Sequence, residues 1–253
     1  MRSGARAMTT HSMKGTAMVG YNVQTVVDAQ HHLIVSHEVT NSGSDRGQLS
    51  KMALAARQAI AAPNLQVLAD RGYYNSIEIK ACDDAAITTY VSKPMTSNAK
   101  ANGRYGKDDF VYMASDDEYQ CPAGNRAPYR FTSTEGQLQM RAYWSSACPT
   151  CPSKAQCTTS SYRPIRRWKH EEVVDEVQRR LEQKPDAMML GKSTVEHVFG
   201  TLKHWMGWTH FLMRRKANVA TEMSLHVLAY NLKRVMGVMG IAQMMEAMRM
   251  VKA

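Results

Sequence analysis

The chain has 253 residues, enough for one domain with a sizeable core or for one domain carrying an insertion. Hydrophobic residues make up 44% of it, which excludes a disordered chain, and no apolar run approaches the roughly 20 residues needed to cross a bilayer. Lys and Arg number 32 against 22 Asp and Glu; the formal charge of +10 favours a polyanionic partner, with a merely basic soluble protein as the alternative.

Residues 1–19 read as an irregular basic N-terminus. They have no apolar core of a secretory signal, so the expected location is the cytoplasm, with the five cysteines reduced or metal-bound. Gly20 to Ala29 then alternates as a strand, with Tyr21, Val23, Thr25 and Val27 on one face and Asn22, Gln24 and Asp28 on the other. After a polar turn, Leu33 to Thr40 alternates again, which predicts an antiparallel hairpin. Asn41 to Asp45 supplies turn and capping residues for a helix with Leu49, Met52, Ala53, Ala56 and Ile60 at helical spacing. Leu65 to Ala69 is a short strand that delivers Asp70 at its C-terminal end. A helix from Ser76 to about Ala86 and a strand Thr88 to Val91 follow.

The composition turns polar from Met95, and residues 96–165 read as a cysteine-rich insertion with weak strand signals at Phe110 to Met113 and Leu138 to Tyr143. Beyond it, Glu171 to Gln183, Met188 to about Met206 and Glu222 to Met236 read as helices. The last of these has Leu225, Leu228, Leu232 and Val235 in phase. Residues 20–95 and 166–240 are thus two parts of one core, and 241–253 is a methionine-rich helical tail. The order is α/β. It matches an RNase H-like core, a mixed sheet with flanking helices, entered one strand late and interrupted by the insertion.

Phosphoryl transfer on two divalent ions needs carboxylates that converge on one point, and magnesium prefers hard carboxylate oxygens. Asp70 is a suitable anchor, although an Asp in a turn after a strand is ordinary. Glu196 lies in a helical pattern that puts Lys192, Glu196 and Lys203 on one face beside an apolar stripe of Val195, Phe199, Leu202 and Met206; a solvated Lys-Glu pair is the plain alternative.

Four segments resemble bacterial insertion-sequence transposases of the DDE group with the tyrosine-arginine-glutamate-lysine signature: Gly20 to Leu49, Leu68 to Tyr74 (LADRGYY), Thr194 to Leu212 (TVEHVFGTLKHWMGWTHFL) and Glu222 to Val235. The resemblance spans about residues 5 to 238. It implies a metal-dependent DNA cleavage and strand-transfer activity using Mg2+ or Mn2+, with Asp70 as the second catalytic Asp and Glu196 as the catalytic Glu. Lys203 falls on the signature lysine, Lys192 where the signature has arginine, and Met189 at the tyrosine position. It also implies DNA partners, both element ends and target, and a homodimer that joins two ends. The first catalytic Asp belongs on a strand ahead of the hairpin, and residues 1–19 contain no Asp. Asp28 is the nearest candidate, at the hairpin turn. The simpler expectation is a truncated C-terminal catalytic part, inactive alone, with a non-catalytic DNA-binding remnant as the rival reading.

Cys148 and Cys151 with Cys157 form a C-x2-C-x5-C cluster, and Cys121 lies upstream. Four thiolates suit tetrahedral zinc, against the alternative of free buried cysteines; transposases of this kind carry a similar insertion. Cys82 reads as a core residue. Basic runs at Arg163, Arg166, Arg167, Lys169 and His170, and at Arg214 to Lys216, could face phosphates or merely solvent, so Arg166 and Arg167 join Lys192 and Lys203 as DNA-binding candidates. Trp205 and Trp208 read as core residues, with base stacking as the alternative.

Overall fold

A computed structural model describes residues 8–11, 17–94, 98–207 and 210–250. The chain divides into two compact units, one formed by Met1–Lys93 with Val173–Ala253, the other by Pro94–Glu172.

In the first unit, the stretch expected to be irregular contains two short paired strands, β1 (Met8–His11) and β2 (Ala17–Gly20). The hairpin follows as β3 (Asn22–Val27) and β4 (Ile34–Thr40), with Val23 opposite Val39 and a register shift at Val26 and Val27. Helix α1 (Leu49–Ile60) buries Leu49, Met52, Ala53 and Ala56, whereas Ile60 is exposed. Strand β5 (Gln66–Ala69) pairs in parallel with β6 (Thr88–Val91), the crossover being α2 (Ser76–Asp84). Asn75 starts α2 by accepting from the Ile77 amide at 3.0 Å. The Glu78 carboxylate accepts from the Ser50 amide and hydroxyl at 2.9 and 2.6 Å, satisfying an orphan donor in the first turn of α1.

The second unit holds a five-stranded, all-antiparallel sheet. In sequence it is β7 (Val111–Met113), β8 (Glu118–Gln120), β9 (Arg126–Glu135), β10 (Leu138–Tyr143) and β11 (Ile165–Trp168); in space the order is β11-β10-β9-β8-β7. A four-residue helix, α3 (Lys154–Cys157), lies between β10 and β11. Phe110, Tyr119, Ala127, Tyr143 and Ile165 form its core. Asp117, in the β7–β8 turn, accepts hydrogen bonds from the hydroxyls of Tyr112 and Tyr143, both at 2.8 Å, and pairs with Arg141.

Helices α4 (Glu171–Gln183), α5 (Ala187–Gly200), α6 (Lys216–Met239) and α7 (Ile241–Met250) complete the chain. Val177 of α4 joins Leu49, Ala53, Ile79, Cys82, Ile87 and Val91 in one core cluster, so Cys82 is a core residue as expected. A second cluster joins Ile34 and Val39 of the hairpin to Val198, Leu202, Val219, Met223, Val227 and Tyr230. The buried face of α6 is therefore not the one read from the sequence: Leu225, Leu228 and Leu232 are exposed. Helix α6 is apolar on two sides, and spacing alone does not say which side meets the hairpin. The architecture is mixed α/β. Among the described residues, the hairpin and the parallel pair are separate two-stranded ladders.

Candidate functional site

Asp70 follows β5 and caps a 3-10 turn, Arg71–Tyr73, through a 2.7 Å hydrogen bond from the Gly72 amide to its Oδ1. Its carboxylate is exposed. A second carboxylate lies close by. A β-carbon placed on Gly72 would sit 3.0 Å from Asp70 Oδ1 and 3.6 Å from Asp45 Oδ2. Asp45 Oδ1 accepts from Asn22 Nδ2 at 2.6 Å and from Gln24 Nε2 at 2.7 Å, and Gln24 Oε1 accepts from the Tyr73 hydroxyl. Burial pushes the Tyr73 hydroxyl well above its ordinary range, and the charges of Asp45 and Asp70 push it further.

Sequence reasoning missed this group. Alternation put Gln24 on the polar face of β3, yet it is the buried residue of the strand, at 1% exposure. The available signal was a pair of amides two residues apart on one face, which is unusual for a strand that feeds a core.

Asp28, the other carboxylate considered for catalysis, serves the hairpin turn: it accepts from the amides of His31 at 2.7 Å and Gln30 at 3.3 Å.

Glu196 is carried by α5, which packs on β5; a β-carbon on Gly191 would be 3.2 Å from Leu68 Cβ. The strand that ends in Asp70 and the helix that bears Glu196 are thus in contact. The buried residues of α5 are Thr194 and Val198, each one position before Val195 and Phe199 of the expected stripe, whereas Leu202 of that stripe, just beyond α5, is buried. Glu196 lies on the other side. Its side chain is 66% exposed and faces Lys192 Nζ at 3.6 Å. After Gly200 the helix widens into a π-helical segment, Thr201–Trp205, so the seven-residue spacing that aligned Lys203 with Glu196 in an α-helix no longer does so. Lys203 Nζ lies 5.8 Å from the Phe199 ring. Trp205 is 81% exposed, which corrects its expected core role, and Trp208 lies outside the described residues.

In the second unit, Cys121, Cys148, Cys151 and Cys157 line one cavity, together with Tyr105 and Arg163. All are free thiols. Burial pushes the Cys157 thiol up, the Arg163 guanidinium draws it back, and the Cys148, Cys121 and Cys151 thiols raise it again. Cys121 opens a turn closed by the Gly124 amide on its carbonyl at 2.8 Å, with Gly124 at φ +79. Cys148 begins a 3-10 turn and Cys157 ends α3. Among the described residues, no group of three or more His, Cys, Asp or Glu is arranged to hold a metal ion.

The basic candidates separate. Arg166 is half-buried and bonds to Ser133 at 2.7 Å and Glu135 at 2.5 Å. Arg167 is buried, its guanidinium 3.8 Å from the centre of the Tyr112 ring and 3.4 Å from the Tyr119 hydroxyl. It packs within the sheet, with little of its side chain at the surface.

No helix among the described residues is long and apolar enough to cross a membrane. Residues 120–236 match a family model described as a transposase DDE domain, a segment that includes Glu196, Lys203 and all four cavity cysteines and leaves Asp70 outside it. No curated protein and no solved structure matched the chain. The match covers less than half of the chain, and over that segment the chain is similar to the transposase DDE domain.

Proposed function

We propose that the chain provides part of the catalytic centre of a DNA transposase, using Asp70 and Glu196 in Mg2+- or Mn2+-dependent phosphodiester cleavage and strand transfer. The observation that carries this reading is the seating of α5 on β5 within a chain that matches the DDE family. It brings the helix of Glu196 against the strand of Asp70. In this reading the core is RNase H-like, with the hairpin and the parallel pair joined by side-chain packing rather than by ladder hydrogen bonds among the described residues. The active form is a homodimer on element ends and target DNA in the cytoplasm.

The donor chemistry of Asp70 and Glu196, hard and exposed carboxylate oxygens, suits magnesium. When bound, the ion would activate the attacking oxygen and neutralise charge on the phosphate. The residues themselves orient and anchor. The Gly72 amide fixes one oxygen of Asp70 and leaves the other for a ligand. Lys192 and Lys203, both exposed, would hold DNA phosphates electrostatically, and Lys192 lacks the bidentate geometry of arginine. Arg166, in the second unit, would bind a phosphate only by exchanging Glu135 for it.

Supercoiled plasmid incubated with the protein and Mn2+ tests the reading. Nicking is expected, with loss of activity in Asp70→Asn and in Glu196→Gln while the fold is retained. Equal nicking by Asp70→Asn removes that residue from the mechanism.

A second reading is a non-catalytic DNA-binding protein of the same family. The pairing of Glu196 with Lys192 favours it. Salt-dependent plasmid binding without nicking in any divalent ion would support it.

For the second unit, the reading is a structural zinc ion held by Cys121, Cys148, Cys151 and Cys157. Their shared cavity supports it, and closure of the thiolates around the ion would accompany binding.

A further inference from the structure

The turn that presents Asp70 is tied to the hairpin by a chain of hydrogen bonds that the proposed reaction does not use. Three separate pieces of the fold meet there: β3, the turn at Asp45 and the turn Arg71–Tyr73. Gln24 is the junction. An ionised carboxylate only accepts hydrogen bonds, so the Asp45 oxygen that receives Asn22 Nδ2 must also face the NH2 group of Gln24. That fixes the amide orientation and leaves Gln24 Oε1 pointing at Tyr73, whose hydroxyl must then be the donor. No freedom remains in the chain from Asp45 through Gln24 to Tyr73.

Tyr73 passes this constraint to Asp70 through the backbone. Its amide donates to the Asp70 carbonyl at 3.2 Å, and the Gly72 amide between them holds Asp70 Oδ1. The tyrosine ring packs partly buried against the cluster around Ile79 and Val91, so the hydroxyl is placed by the ring and cannot follow the loop if the loop shifts. Buried polar chains of this kind hold a unique geometry when every member has its partner.

We propose that Gln24, Tyr73 and Asp45 are positioning residues: their hydrogen-bond chain sets the aim of the Asp70 carboxylate without touching the reacting atoms. This rests on the reading of Asp70 as a divalent-ion ligand. Outer partners of metal ligands commonly change affinity by about 10- to 100-fold when removed.

Mn2+ alone is the probe, titrated into the full chain and followed by the loss of its free-ion signal in electron paramagnetic resonance, with thermal unfolding recorded for each variant. Tyr73→Phe keeps the ring and removes one donor. We expect its Mn2+ affinity to fall by about ten-fold with the unfolding transition retained. Asp45→Asn keeps the shape, loses the charge that orients Gln24, and should weaken Mn2+ in the same direction; it decides the matter if Tyr73→Phe does not fold. Asp70→Asn should abolish the tight site. If Asp70→Asn abolishes binding while the folded variants at Tyr73 and Asp45 bind like wild type, the positioning role is overturned and the Asp70 reading stands. If wild type binds no Mn2+, or Asp70→Asn binds as wild type does, the Asp70 reading fails and this proposal falls with it.

Discussion

Gly191 on α5 sits against Leu68 on β5, at a distance where a β-carbon on the glycine would be 3.2 Å from the Leu68 Cβ. A residue without a side chain lets the helix of Glu196 approach the strand of Asp70. Gly191→Leu must push the helix away, and overpacking of this kind costs about 1–3 kcal/mol. Gly191→Ala gains about 1 kcal/mol of helix propensity against a tight contact, so its net effect should stay within about 1 kcal/mol. Urea unfolding checks both. A Gly191→Leu protein as stable as wild type would show that the contact does not hold in solution.

Leu202 and Trp205, three residues apart, should respond in opposite ways to truncation. Leu202 is fully buried between the hairpin and α6, and Leu202→Ala is expected to destabilise the protein by about 2–5 kcal/mol. Trp205 is 81% exposed, and Trp205→Ala should change stability by no more than about 0.5 kcal/mol. The larger loss at Trp205 would restore it to the core.

Asp117 gives the second unit an acid-sensitive hub. Burial alone would raise its carboxyl, but hydrogen bonds from Tyr112 and Tyr143 and the Arg141 charge outweigh it and hold the group below the usual carboxylate range. A depressed folded pKa stabilises the charged form, so the contribution is present above the unfolded value of 3.8 and is lost as pH falls through the lower folded value. Asp117→Asn should therefore be less stable than wild type at neutral pH, with the gap closing below about pH 3.8. Asn also tolerates the φ of +53 at this position, so the comparison reads the loss of the charge and of one acceptor oxygen rather than backbone strain. Unfolding midpoints of the two proteins across the acid range provide the check; a gap that persists to the lowest pH argues against the hub.

Elemental analysis of protein purified without chelator should return about one zinc per chain, the stoichiometry of a single four-cysteine site. The double variant Cys148→Ser with Cys151→Ser should lose the ion, and chelation should lower the unfolding temperature of the wild type, because metal binding energy becomes folding energy. A protein free of zinc and indifferent to chelator has four packed thiols instead.

What the sequence disclosed follows from where local pattern and tertiary packing agree. Helix α4 runs over the expected Glu171–Gln183 and β10 over the expected Leu138–Tyr143, since each has one apolar face and a clear boundary. The strands β8, β9 and β11 carry Tyr, Arg and Thr rather than aliphatic runs, and their pairing is set by partners distant in sequence. For the proposed site, Asp70 and Glu196 are named by motif and position alone. Their surroundings are not legible in the sequence: Gln24 looks like a surface residue until Asp45 and Tyr73 are brought to it, and neither lies within a helical or strand period of it.

A two-stranded ladder is at best marginal by itself in water. The β3–β4 and β5–β6 ladders share no amide-to-carbonyl pairing among the described residues, so neither can lend the other its order along a backbone network. Helix α5 does that work with side chains, resting Gly191 on one ladder and packing Val198 with Ile34 and Val39 of the other. Helix α1, which packs on the hairpin and shares a core cluster with Val91, and the Tyr73 to Gln24 hydrogen bond are further ties of the same side-chain kind. A lesion that loosens α5 should therefore lower the cooperativity between the ladders, with the hairpin and the parallel pair losing amide protection at more divergent rates.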